Sequence, residues 1–130
     1  MNLVRANIKE QLYKTVLKTA TNTIVSDEPA IIGGQDLGFT PTQLFAASLA
    51  ACTAMTVRMY ADRKSWKLDF VNVDIDFDRN LNSKTVILTK NIEIHGDLDD
   101  EQRKRLLMIA KKCPIQKVLE NTIEIKSHLT

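Results

Sequence analysis

The stretch that most restricts what this chain can fold into is TPTQLFAASLAACTAMTVRMYADRK, residues 40–64. Thr40, Pro41 and Gln43 read as a capping box. The hydroxyl accepts from a backbone N–H three residues on, and the amide reaches back. The proline lacks only an N–H that the first helical position leaves unpaired anyway. A helix starting at Pro41 can run to about Lys64, roughly 36 Å at 1.5 Å per residue. No residue from Leu44 to Val57 is charged, and apolar or small side chains fall on every side. A helix of that kind must be covered all round. Its small residues, Ala46, Ala47, Ser48, Ala50, Ala51 and Ala54, let another backbone come close. A second copy of the same helix is one candidate. Arg58, Asp62, Arg63 and Lys64 mark its emergence into water.

What flanks this helix is mostly strand. Residues 1–28 read as N-terminal strands in a two- or three-stranded meander. DEPAIIGGQDLGFTP follows as a long glycine-bearing loop, a kind that is often functional. FVNVDIDFDRN alternates, with Val71, Val73, Ile75 and Phe77 on one face and Asn72, Asp74, Asp76 and Asp78 on the other. LNSK turns the chain, and TVILTKNIEIHG returns with Val86, Leu88, Ile92 and Ile94 inward, giving a hairpin over 67–95. Residues 97–120 predict an amphipathic helix with Leu106, Ile109 or Ala110, and Cys113 on one stripe. Pro114 ends it and opens a short second helix. TIEIKSHL predicts a terminal strand over 121–129. Strands and helices are segregated rather than alternating, so the fold class is α+β, and 130 residues suit a single domain over 1–130.

Composition narrows the partners. Eighteen basic residues against sixteen acidic ones, a net charge of +2, give no clustered basic face for nucleic acid. RKRLLMIAKK is basic, but DLDDE precedes it, which is what a helix dipole favours on a solvated face. MNLVRANIKEQ carries no apolar signal core. The uncharged apolar run of fourteen residues at 44–57 falls short of the roughly twenty a membrane span needs. The expectation is a soluble, cytoplasmic protein, without membrane or nucleic-acid partners. There, two cysteines are more often catalytic, redox-active or inert than a permanent cross-link.

Those cysteines carry the candidate chemistry. Cys52 lies mid-helix, where the dipole gives it nothing, and packing is the default for a free cysteine. Ionisation there needs a cation from another element. Cys113 stands before Pro114, at the start of a predicted helix and beside Lys111 and Lys112, which favours a thiolate; a core cysteine packed at a helix bend fits the same signals equally well. A zinc site built from both cysteines with His95 and His128 lacks the short local ligand spacing of zinc motifs, so no metal is expected. GGQDLG lacks the Lys-Ser/Thr that closes a phosphate loop, and no nucleophile elbow is present. The acidic face Asp74, Asp76, Asp78 reads as solvated.

DEPAIIGGQDLGFTPTQLFAASLAACTAMTVRMYADRK, GDLDDEQRKRLLMIAKKCPIQKVL and the closing IEIKSHL together resemble the osmotically inducible protein C / organic hydroperoxide resistance (OsmC/Ohr) family, in its OsmC-like branch. The likeness spans nearly the whole chain and includes the spacing from Pro41 to Cys52 and the Cys113-Pro114 pair. It implies curved antiparallel sheets around a central buried helix in a swapped homodimer. It further implies a thiol-dependent peroxidase, a stress-response antioxidant oxidoreductase without cofactor. There Cys52 attacks an organic hydroperoxide and becomes a sulfenic acid. Cys113 resolves it as a disulfide, and a dithiol reductant, often lipoyl-linked, restores both thiols. Leu44, Thr42, Gln43, Phe45, Met55 and Ile115 are the candidate walls of the substrate pocket. The chain departs from the family pattern at three places. Peroxidase members carry a glutamate ten residues before the helix cysteine, where this chain has Thr42 with Gln43 beside it. Their arginine precedes the helix, but none lies between Arg5 and Arg58. Their Cys-Pro motif often continues to histidine, here Gln116. The alternative is therefore a catalytically weak dimer that binds a small apolar ligand at its interface.

Overall fold

The computed structural model describes residues 3–80 and 82–130. The chain forms two compact units, residues 1–45 and 46–130.

In the first unit β1 (Arg5–Ile8), β2 (Thr15–Lys18) and β3 (Thr23–Ser26) form the expected antiparallel meander, with Arg5 opposite Lys18 and Thr15 opposite Ser26. The loop that follows is organised around one buried acid. Asp27 is only 2% exposed. Its Oδ1 accepts from the N–H groups of Tyr13 and Glu28, and its Oδ2 from those of Gln35 and Leu37. Burial works against the charge, but these four donors outweigh it and hold the carboxyl below its usual value of 3.8. The loop then lies so close to β3 that a Cβ on Gly38 would overlap the Val25 carbonyl. The Ser26 hydroxyl donates to the Phe39 carbonyl at 2.7 Å. At Thr40 the capping box forms as the sequence predicts. Gln43 N–H donates to Thr40 Oγ1 at 3.1 Å, and Thr40 N–H to Gln43 Oε1 at 2.9 Å. This starts α1 (Pro41–Arg63).

The second unit holds the rest of α1 with β4 (Lys67–Asn80), β5 (Thr85–Asp97), α2 (Asp100–Ala110) and α3 (Pro114–Leu119). Leu49, Thr53, Val57 and Ala61 form the buried row of α1, one turn apart. Val57 and Ala61 meet Leu68, Leu106 and Ala110 in the core, with Ile92 and Ile94 packed against them. The opposite stripe, Ala51, Met55 and Met59, stays exposed. One chain therefore covers one side of a helix that is apolar all round. By length and composition α1 also suits a membrane span, which the count of uncharged residues had set aside. The count stops at Arg58, whereas the helix continues five residues further.

β4 and β5 pair along their length, Lys67 opposite Asp97 and Asn80 opposite Thr85, with one irregularity between Leu68 and Phe70. That bulge breaks the alternation: Leu68 and Val71 both face inward, and Phe70 turns outward to stack on His95 at 4.3 Å. Arg58 ties α1 to the bulge, donating to the Leu68 and Asp69 carbonyls at 2.8 and 3.0 Å. Of the predicted turn, Leu81 lies outside the described residues.

α2 begins at a second capping box, Asp99 with Gln102, and buries Leu106, Ile109 and Ala110. Pro114 opens α3 with Cys113 at its N-cap. The predicted terminal strand over 121–129 does not form within this chain: residues 122–130 carry no strand, and Ile123, Ile125 and Leu129 are exposed. The alternation is present, but a strand needs a free edge to pair with, and no strand is found paired to this segment among the described residues.

Candidate redox site

Three elements of the second unit converge on a pair of sulfurs. α1 carries Cys52 and Thr53, the α2–α3 junction carries Cys113, and β5 carries Lys90. Cys113 is fully buried, whereas Cys52 is half-buried, and both are free thiols. Each thiol acts on the other's ionisation as a hydrogen-bonding neighbour.

This bond splits their acidities. Burial pushes the Cys52 thiol up, and its bond to Cys113 pushes it further, because losing the proton would set two negative sulfurs side by side. The Ile115 N–H and the Thr56 hydroxyl offset this only in part. For Cys113 burial also acts upward. Four donors overcome it: the Cys52 thiol, the N–H groups of Gln116 and Ile115, and the Thr53 hydroxyl. The Cys113 thiol therefore ionises below its ordinary value of 9.0. Ionised, the pair holds one negative charge and one shared proton, with the charge on Cys113. The position of Cys113 before Pro114 makes this legible from sequence, since the turn after it aims backbone N–H groups at the sulfur.

The cation is the residue the sequence analysis passed over. Lys90 stands on the inward face of β5, between Leu88 and Ile92. Its Nζ donates to Thr53 Oγ1 at 3.0 Å and to the Ala110 carbonyl at 2.9 Å. Because Thr53 Oγ1 accepts from Lys90, its own proton is free for Cys113. Burial lowers the pKa of this ammonium, and the Cys113 and Cys52 sulfurs and Glu120 push it back up. The signal was a break in pattern: 86, 88, 92 and 94 were read as the inward register, and residue 90 belongs to the same register.

Beside this cluster lies a cavity of about 390 Å³, with Leu49, Val86, Leu88 and Leu119 as apolar walls and Lys90, Lys111, Gln116 and Glu120 as polar ones. The Gln116 Oε1 is buried without a hydrogen-bond partner, so an acceptor stands open there. None of the sequence-predicted pocket residues is a wall of this cavity. Thr42 and Gln43 lie in the first turn of α1, where Gln43 serves the cap. Phe45 and Met55 are exposed on α1, and Ile115 touches the site through its N–H. Arg58 is committed to the β4 bulge. His95 faces Glu93 and Phe70, away from the sulfurs.

Residues 33–128 match the family model described as OsmC-like protein. The chain belongs to the OsmC-like family. Solved OsmC-like structures share its fold. One is a Psychrobacter arcticus protein named for osmotic stress induction and detoxification response. It is 23% identical, with a TM-score of 0.77, over 91% of this chain and 88% of that one. An OsmC-like protein from Mycoplasma pneumoniae is 20% identical, with a TM-score of 0.75 over 90% and 85%. An organic hydroperoxide resistance protein from Elizabethkingia anophelis, with thiocyanate bound, is 19% identical, with a TM-score of 0.65 over 93% and 89%. No curated protein matches. At these identities the likeness establishes the α+β OsmC-like fold, antiparallel sheets with helices, and no activity.

Proposed function

We propose that this OsmC-like protein is a thiol-dependent peroxidase that reduces organic hydroperoxides through Cys52 and Cys113. The observation that carries the reading is two free thiols placed so that each acts on the other's ionisation. Cys52 is the sulfur that solvent reaches, so it meets the peroxide. Passing its proton to Cys113 makes it the nucleophile. The Cys52 thiolate attacks the outer peroxide oxygen, the O–O bond breaks, and the alkoxide takes the proton back from Cys113. The products are an alcohol, a Cys52 sulfenic acid and a Cys113 thiolate. That thiolate attacks the sulfenic sulfur, the hydroxyl leaves as water with a proton from solvent, and a disulfide remains. An external dithiol reduces it, so no cofactor enters. The open Gln116 acceptor suits the O–H of a hydroperoxide whose alkyl part lies along Leu88 and Leu119.

The reading carries further proposals: a cytoplasmic, reducing setting and a homodimer. The uncovered Ala51–Met55–Met59 stripe and the exposed Ile123, Ile125 and Leu129 supply surface that a second copy would bury. A second reading, a catalytically weak dimer that binds an apolar ligand, draws on the raised pKa of Cys52 and on the cavity. The deciding experiment is anaerobic reaction with one equivalent of an alkyl hydroperoxide, followed by a free-thiol count. The peroxidase consumes peroxide and loses both thiols, Cys113→Ser stops at a trappable sulfenic acid, and Cys52→Ser consumes nothing. Peroxide consumption that persists in Cys52→Ser overturns the peroxidase mechanism, and two intact thiols in the native protein favour the binding module.

A further inference from the structure

We propose that Lys90 is the positioning cation of the dithiol, the residue that keeps one negative charge in the sulfur pair and orients the hydroxyl that steadies it. The inference rests on the redox reading of the pair, but its test does not depend on turnover.

A lysine on the inward face of a strand loses hydration, and that loss needs compensation. Lys90 has two short contacts, to Thr53 Oγ1 at 3.0 Å and to the Ala110 carbonyl at 2.9 Å. Both partners are near the cysteines in the chain: Thr53 follows Cys52 in α1 and also reaches Cys113, and Ala110 precedes Cys113 by three residues at the end of α2. Thr53 and Ala110 are both fully buried and Lys90 is half-buried, so the contacts are only partly open to water and less screened than those of a surface pair. The ammonium interacts electrostatically with both cysteines. Moving the proton from Cys52 to Cys113 therefore keeps the charge beside the same cation. The other charged groups at this place are Lys111 at the end of α2 and Glu120 at the end of α3. Both line the cavity and both are exposed. Glu120 acts on Lys90, and as an acid it supplies no support for a thiolate. Lys90 and Thr53 thus form a two-step path, ammonium to hydroxyl to sulfur, from a strand to a cysteine pair on two helices.

The test follows thiolate ultraviolet absorbance against pH in the reduced native protein, Lys90→Met and Lys90→Arg, with circular dichroism reporting the fold. The midpoint of the first ionisation is expected to move up by about one unit or more in Lys90→Met and to return most of the way in Lys90→Arg. An unmoved midpoint in folded Lys90→Met, or no recovery in folded Lys90→Arg, overturns the proposal. A second measurement needs no change at Lys90. With lysines isotopically dimethylated, the Lys90 resonance is titrated in the native protein and in the Cys52→Ala/Cys113→Ala double variant. Removing the sulfurs is expected to lower the Lys90 midpoint, and equal midpoints overturn the inference. A moved midpoint in a protein that consumes no hydroperoxide would keep the Lys90 assignment and remove the peroxidase instead.

Discussion

Thr53→Val isolates one hydroxyl at the centre of the site. Valine keeps the branched shape, so the fully buried position gains no cavity and α1 keeps its packing. Two bonds disappear together, the Lys90 Nζ to Oγ1 contact at 3.0 Å and the hydroxyl's donation to Cys113. A hydrogen bond to a charged group is worth about 1.5–3 kcal/mol. At about 1.36 kcal/mol per pH unit, losing the donor should raise the Cys113 ionisation by about one to two units. The sign is fixed by which form the hydroxyl serves: it donates to the thiolate, so its removal disfavours that form. At neutral pH the thiolate fraction then falls about ten-fold or more. Lys90 keeps the Ala110 carbonyl, so the loss in folding stability should stay within about 1–3 kcal/mol, the cost of a group left short of one partner. Thiolate absorbance against pH reads the first effect, and urea unfolding above the ionisation midpoint reads the second. An unchanged midpoint in a protein destabilised as expected would refute the reasoning, because it would make Thr53 a packing residue with no hold on the sulfur.

Two further outcomes test the units separately. Leu106→Ala empties a fully buried position in the second unit and should cost about 2–5 kcal/mol in urea unfolding, with no change in the spectrum of the thiols at alkaline pH. In the first unit Asp27 has a depressed pKa. Its contribution to stability is therefore fully present above its ordinary value of 3.8 and is lost as pH falls through the lower folded value. Hydrogen exchange at the Tyr13, Gln35 and Leu37 amides should accelerate in that acid window, and Asp27→Asn should flatten the response. An identical acid limb in both proteins would contradict the role of the carboxylate.

Much of this was readable from local pattern because local forces decide it. The box of Thr40 and Gln43 set the start of α1, Pro114 set α3, and the alternation of Val71, Val73, Ile75 and Phe77 set the inward face of β4. What escaped depends on partners distant in sequence. Lys90 was treated as a gap in an apolar register, since periodicity cannot say that a buried ammonium will find Thr53 and Ala110. The inward turn of Leu68, out of step with Val71, follows from a bulge that only the pairing with β5 creates. The terminal segment alternates like a strand, but no strand among the described residues pairs with it. For the site, both cysteines stood out by type and setting, and Cys113 also by its proline. That the charge falls on Cys113 was partly legible from the proline after it; the rest depends on how the two sulfurs act on each other.

The contact between the two thiols also reaches beyond chemistry. Cys52 and Cys113 lie 61 positions apart in the chain, and the intervening residues include the rest of α1, the hairpin and all of α2. Joining them would close that length into a ring and, by chain entropy, raise resistance to unfolding by about 4 kcal/mol. Oxidation would then be recorded as a higher melting temperature. A cell's reducing power could set how long each copy survives its proteases, as well as whether it is ready for the next turnover.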